Sequence, residues 1–197
     1  MIRARNILLV LTAVAAVAAV GYFSAVRVAA YINNQKTVER EKIRDEKRES
    51  LKQDILDKMG TITVGDTLPD HVFEDLDRNP VKLSDIVKRK TNLCFFAPQC
   101  DHCDGEMETI KKYAPSPSEQ EYFVLISPGN PRLIEEMPGL TGLNSLILYD
   151  HRAEYNNLIN IFTYPFNIVV NRNLVVTDLI TEPLSGEDII EIIEENR

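Results

Sequence analysis

A short apolar run, Leu93-Cys94-Phe95-Phe96-Ala97, halts at Pro98-Gln99 and gives way at once to Cys100-Asp101-His102-Cys103. An unbroken apolar run of this length reads as a strand covered on both faces, and proline closes it because it cannot donate to a ladder. Beyond the turn, Cys103, Met107 and Ile110 recur at helical spacing, so a helix with one buried face starts at the first cysteine. The chain must therefore place a strand end, a turn and a helix N-terminus around a C-x-x-C pair.

That placement has chemical consequences. A cysteine at a helix N-terminus faces backbone N–H groups without intrahelical partners and the positive end of the macrodipole. Both favour the thiolate, the nucleophile of disulfide exchange. A second cysteine one turn on can resolve a mixed disulfide. Cys100 is thus the candidate attacking thiol and Cys103 the resolving thiol. A protonated His102 would stabilise the Cys100 thiolate and Asp101 would oppose it, so these two modulate the pair in opposite directions. Glu106, on the same helical face as Cys103, is a candidate for proton exchange with it. The competing role for Glu106 is an exposed first-turn carboxylate that only complements the dipole.

From Gly60 onward the pattern is that of a compact α/β domain. Strands are expected at Asn92–Ala97, Tyr122–Ser127, Ser145–Tyr149, Phe166–Val170 and Leu174–Ile180, and helices at Cys100–Tyr113, Arg132–Met137, Arg152–Ile159 and Gly186–Glu195. Asn171-Arg172-Asn173 makes a turn that pairs the last two strands as a hairpin. Alternating strands and helices followed by a hairpin and a helix imply a central sheet covered on both faces.

The N-terminal part differs. Ile7–Val26 carries no charge and is long enough, at about 1.5 Å per residue, to span a hydrocarbon core of roughly 30 Å. We expect a short basic N-terminus over 1–6, an uncleaved transmembrane anchor over 7–32 and a charged helical stalk over 33–59, ahead of a domain at 60–197. A cleaved signal peptide is the competing role for the apolar run. Leu51, Ile55 and Met59 recur at helical spacing and offer the stalk's far end a face to pack on the domain.

Charge is split along the chain. Residues 1–59 hold 11 Lys/Arg against 7 Asp/Glu, leaving 11 basic and 23 acidic residues in 60–197. An acidic domain offers phosphate backbones nothing, so nucleic acid is excluded as a partner. Counting Arg3 and Arg5 against Arg27, Lys36, Arg40, Lys42 and Arg44, the positive-inside rule leaves the domain in the cytoplasm.

Phe95 through Met107, with C-x-x-C and then Glu106, resembles the active-site segment of the TlpA/ResA-like membrane-anchored thioredoxins. Gly65-Asp66-Thr67-Leu68-Pro69-Asp70 with Val81-Lys82-Leu83-Ser84-Asp85 resembles that family's opening segment, a hairpin ahead of the active-site strand. Thr163-Tyr164-Pro165 stands where the family carries a cis-proline. The resemblance implies a thioredoxin-like fold, a central mixed sheet flanked by helices, and thiol–disulfide oxidoreductase activity on protein substrates without a cofactor or metal. It implies a reductant in cytochrome c maturation or general thiol maintenance, re-reduced by a membrane dithiol donor. It also implies a bacterial inner-membrane protein with its redox domain in the periplasm, against the charge count. Tyr164 and Pro165 would then present backbone to substrate beside the cysteines. Gln99 replaces the family's usual tryptophan, and Tyr164 its usual threonine, which alters the surface offered to substrate.

Rival chemistries have less behind them. Zinc normally takes four ligands, and this chain has one C-x-x-C without a second pair. Haem attachment needs histidine after the second cysteine, where Asp104 stands. A peroxiredoxin would carry threonine three residues before its reactive cysteine, where Ala97 stands. A non-catalytic thioredoxin-fold module would use the pair only as a structural disulfide. Cys94, in an apolar strand, is expected to be a buried small hydrophobe, and His71 and His151 to be surface residues.

Overall fold

A computed structural model describes Arg27 and residues 35–50 and 62–197. The chain divides into two units, Met1–Leu51 and Lys52–Arg197. In the first, residues 35–50 form a helix, α1, exposed throughout. Its Lys42–Glu46 pair, 3.8 Å apart and one turn along, adds little stability at such exposure. The basic stretch 1–6, the expected membrane span apart from Arg27, and Leu51, Ile55 and Met59 lie outside the described residues. Among the described residues no helix is long and apolar enough to cross a membrane.

The second unit is built on strands β1 (Val72–Asp75), β2 (Pro80–Lys82), β3 (Thr91–Phe95), β4 (Phe123–Ser127), β5 (Ile147–Tyr149), β6 (Phe166–Val170) and β7 (Val176–Ile180). They form one mixed sheet in the order β2-β1-β5-β4-β3-β6-β7. The β3–β4 and β4–β5 pairs are parallel; β6 runs antiparallel to both β3 and β7, and β1 to both β2 and β5. The β1–β2 hairpin is the opening hairpin expected from the family resemblance. The central strands β3, β4 and β6 are buried along their whole length, as strands covered on both faces must be.

Strand alternation sorts the core into two clusters. Leu93, Phe95, Val124, Ile126, Phe166 and Ile168 point to one face, under Leu83 of α2 (Leu83–Ile86) and Tyr155. Cys94, Phe96, Phe123, Leu125 and Val169 point to the other, under Cys103, Met107 and Ile110 of α3 (Asp101–Tyr113) and Ile189, Ile192 and Ile193 of α7 (Gly186–Glu194). Truncating one such side chain to alanine typically costs about 2–5 kcal/mol, a large share of a domain's stability.

Local chemistry sets the helix starts. Ser185 and Asp188 form a capping box on α7, and Ser116 and Glu119 form one on α4 (Pro117–Gln120). Asn130 accepts from Arg132 N–H ahead of α5 (Pro131–Glu135). α3 carries Asp101 and Asp104 in its first turn and Lys111 and Lys112 in its last, matching the dipole at both ends.

The helix expected over Arg152–Ile159 is broken. Arg152 and Ala153 adopt φ of 57° and 56°, leaving a 3-10 turn, His151–Ala153, before α6 (Glu154–Leu158). The buried Asp150 carboxylate accepts from the N–H groups of Tyr155 and Asn156, each at 2.9 Å, and caps α6 from outside the helix. β5 begins at Ile147 rather than at Ser145, whose hydroxyl instead donates to the Gln120 carbonyl.

Candidate active site

The two cysteines lie where the turn after β3 becomes α3. Cys100 is the N-cap of α3, and its sulfur accepts the Cys103 N–H at 3.2 Å. Cys100 and Cys103 are joined as a disulfide, with Cα atoms 5.2 Å apart. Cys100 is half-buried, whereas Cys103 is completely buried. The reach of an outside sulfur therefore differs between them, in the order required of an attacking and a resolving thiol. Asp101 and His102 are exposed on the first turn.

Gln99 enters the turn with φ of 62° and is exposed, so the chain swings sharply out of the strand before the first cysteine. Pro98 rests on the loop after β4. A Cβ on Gly129 would come within 2.4 Å of the Pro98 ring, so this approach requires glycine. On the far side, Asp104 accepts from Gly139 N–H at 2.9 Å and ties the first turn of α3 to the 3-10 turn Pro138–Leu140.

Tyr164–Pro165 is a cis peptide bond, as the family resemblance implied. The Tyr164 carbonyl oxygen stands 3.9 Å from the Cys100 sulfur. The Tyr164 hydroxyl accepts from Asn156 Nδ2 at 2.7 Å, so this loop is held by α6. His71 is not the surface residue expected: it is half-buried, its ring 4.8 Å from Phe73 and 5.1 Å from Tyr155. His151 is exposed.

Glu106 is not a solvated first-turn carboxylate. It is 1% exposed, buried on the inward face of α3 three residues after Cys103. Its Oε1 meets the Cys94 thiol at 2.6 Å, and its Oε2 accepts from Leu184 N–H at 2.8 Å and Asn167 Nδ2 at 3.0 Å. Burial lifts the Glu106 carboxyl above its ordinary value of 4.5; the three donors oppose the rise and the Asp188 charge adds to it. Cys94 is buried, as expected, but does more than fill space. Burial first, then the neighbouring carboxylate and the hydrogen bond, push its thiol well above the ordinary value, so it stays protonated as a donor.

Sequence reasoning missed Asn167, Asn92, Gly129 and the Cys94–Glu106 contact. The asparagines left a signal: each is a polar residue inside an otherwise apolar strand. Asn92 donates to Asn167 at 2.7 Å, extending the polar chain into the core. Among the described residues no group of three or more His, Cys, Asp or Glu could hold a metal ion.

A thioredoxin-like fold with a redox-capable C-x-x-C at a helix N-terminus, facing a cis-proline loop, defines a thiol–disulfide oxidoreductase. The sequence pattern of the AhpC/TSA family matches residues 64–179, and the chain belongs to that family. It is 29% identical over 130 residues to thiol-disulfide oxidoreductase ResA of Geobacillus kaustophilus, covering 65% of this chain and 75% of that one. Its fold is similar to a putative protein disulfide isomerase from Bacteroides thetaiotaomicron (TM-score 0.56, 19% identity, 68% and 88% of the two chains). It is also similar to a putative thiol:disulfide interchange protein DsbE from Chlorobium tepidum (TM-score 0.53, 17% identity, 68% and 99%).

Proposed function

We propose that this chain is a membrane-anchored reductant that transfers two electrons from the Cys100/Cys103 dithiol to disulfides of protein substrates. The observation that carries it is the half-buried Cys100 at the head of α3, with buried Cys103 and Glu106 behind it. In the reduced protein the Cys100 thiolate attacks one sulfur of a substrate disulfide. A mixed disulfide forms, and the substrate's other sulfur leaves as a thiolate that takes up a proton. Cys103 then gives its proton to Glu106 and attacks the Cys100 sulfur. The mixed disulfide breaks, the second substrate sulfur leaves and is protonated, and the Cys100–Cys103 bond forms. A dithiol donor returns the two electrons.

Tyr164, Pro165 and Gln99 would form the substrate-facing surface, with the Tyr164 backbone paired to the substrate chain. Asp101 and His102 would tune the thiolate. The apolar run 7–26 supports an anchor over 7–32, a stalk over 33–59 and a redox domain over 60–197. The family resemblance supports a bacterial inner-membrane protein with that domain in the periplasm, re-reduced by a membrane dithiol carrier and serving cytochrome c maturation or general thiol maintenance.

The test is insulin disulfide reduction by the reduced full chain. Wild type should turn over and Cys100→Ser should not; equal rates would overturn the proposal. Cys100-dependent consumption of hydroperoxide without insulin reduction would make it a peroxidase instead. A reduction potential near thioredoxin's, roughly −270 mV, supports the reducing direction, and one near about −120 mV reverses it. Labelling of cysteines introduced in 60–197 by a membrane-impermeant reagent tests the periplasmic placement.

A further inference from the structure

The two oxygens of Glu106 are not equivalent. Oε2 takes the Leu184 backbone N–H, which cannot reverse, and the Asn167 amide, which donates while its own oxygen is engaged by Asn92 Nδ2. A proton placed on Oε2 would point at donors already there. In this disulfide state Oε1, among the described residues, is hydrogen-bonded by the Cys94 thiol alone. A thiol rotates about its Cβ–Sγ bond and both donates and accepts. It can donate to the carboxylate and, after a turn of its S–H, accept from the carboxylic acid.

We propose that Cys94 is a positioning residue that makes Oε1 of Glu106 the proton-carrying oxygen of the disulfide site. This rests on the proposed proton exchange between Cys103 and Glu106. In that exchange the Cys103 S–H bond breaks and an O–H bond forms at Oε1, and Cys94 changes from donor to acceptor without losing its own proton. The proton returns when Cys103 becomes a free thiol again.

The surroundings leave Cys94 as the partner at Oε1 that can adapt. β3 brings Asn92 and Cys94, and β6 brings Asn167. β4 brings Phe123 and Leu125, neither of which ionises. α7 brings Asp188, whose negative charge favours the protonated acid. The connection before α7 brings the Leu184 N–H and Glu182, whose carbonyl lies 3.5 Å from Asn167 Nδ2. On α3 itself the neighbouring titratable groups along the chain are Cys103, Asp104 and Glu108, with His102 exposed a turn earlier.

The test follows the Glu106 carboxyl by infrared difference spectroscopy across pH in the full chain, the band being assigned by its loss in Glu106→Gln. Cys94→Ala should raise the Glu106 midpoint by about one pH unit, a roughly tenfold gain in proton affinity on losing one charge-assisted donor. The break in the pH profile of Cys100 alkylation should move the same way. Cys94→Val, which fills the site without a hydrogen bond, should behave like Cys94→Ala and serves if the alanine variant does not fold. Cys94→Ser, a smaller donor and acceptor, should return the midpoint toward wild type. An unmoved midpoint in a folded Cys94→Val protein overturns the proposal, as does a serine variant that titrates like valine. The infrared midpoint is independent of turnover, so loss of the redox function as a whole would show in the insulin assay and leave this result standing.

Discussion

Asn167 lies directly opposite Cys94 across the antiparallel β3–β6 ladder, and the two side chains grip different oxygens of the Glu106 carboxylate. A strand pair thus holds the proton-handling group of a helix that begins at Cys100. The sheet supplies the donors and α3 supplies the acid, so neither element makes the site alone. Burying an ionisable group this deeply is tolerable only with such partners.

Replacing Glu106 with glutamine should change the pH dependence of stability. The Glu106 carboxyl titrates above its ordinary 4.5 in the folded protein. The folded state therefore prefers the protonated acid, and that contribution is full below about 4.5 and lost as pH rises through the folded value. Glutamine cannot ionise, so the stability advantage of Glu106→Gln over wild type should grow with pH from about 4.5, by at most roughly 1.4 kcal/mol per unit, and then level off. Asp150, raised by burial in the same direction, remains in both proteins and cancels. Urea denaturation at several pH values measures this; parallel curves would contradict it.

Cys103→Ala should leave Cys100 able to attack but unable to be released. Mixed disulfides with substrate should accumulate on Cys100 and resist everything but added thiol. Turnover in insulin reduction should fall to the level of Cys100→Ser. Non-reducing gels and mass spectrometry check both outcomes, and free release of substrate from the variant would argue against Cys103 as resolving thiol.

Gly129→Ala should injure the site from a distance. Its new Cβ would lie 2.4 Å from the Pro98 ring, which is rigid, so the turn carrying Gln99 and Cys100 must shift. Overpacking of this kind costs about 1–3 kcal/mol. The expected result is a lower melting temperature with slower Cys100 alkylation. A variant that loses stability but keeps the alkylation rate would separate Pro98 from the positioning of Cys100.

Tyr164→Phe removes the acceptor for Asn156 Nδ2, while Asn156 Oδ1 already has no partner among the described residues. An amide left unpaired in a buried place should cost about 1–3 kcal/mol. The same change frees the loop whose carbonyl faces Cys100, so KM for a protein substrate should rise more than kcat falls. Steady-state kinetics with a disulfide-bonded protein would show the split.

The sequence alone determined the parts governed by neighbours along the chain. The apolar run from Leu93 to Ala97, the Pro98 break and the spacing of Cys103, Met107 and Ile110 located β3, the turn and α3. The paired positions of Cys100 and Cys103 disclosed the chemistry, because helix-start geometry follows from local backbone rules. Family resemblance added the opening hairpin and the cis bond at Pro165. The tertiary structure decided the rest, because those features arise between residues far apart in sequence. Glu106 could have faced solvent or core; packing of α3 and α7 on the sheet put it inside. Cys94 looked like filler until β3 brought it to that carboxylate, with Asn167 reaching the same group from β6 across 61 positions of chain. Periodicity tells which face a side chain takes, but a buried hydrogen bond needs two elements at one place, and only the assembled sheet brings them there.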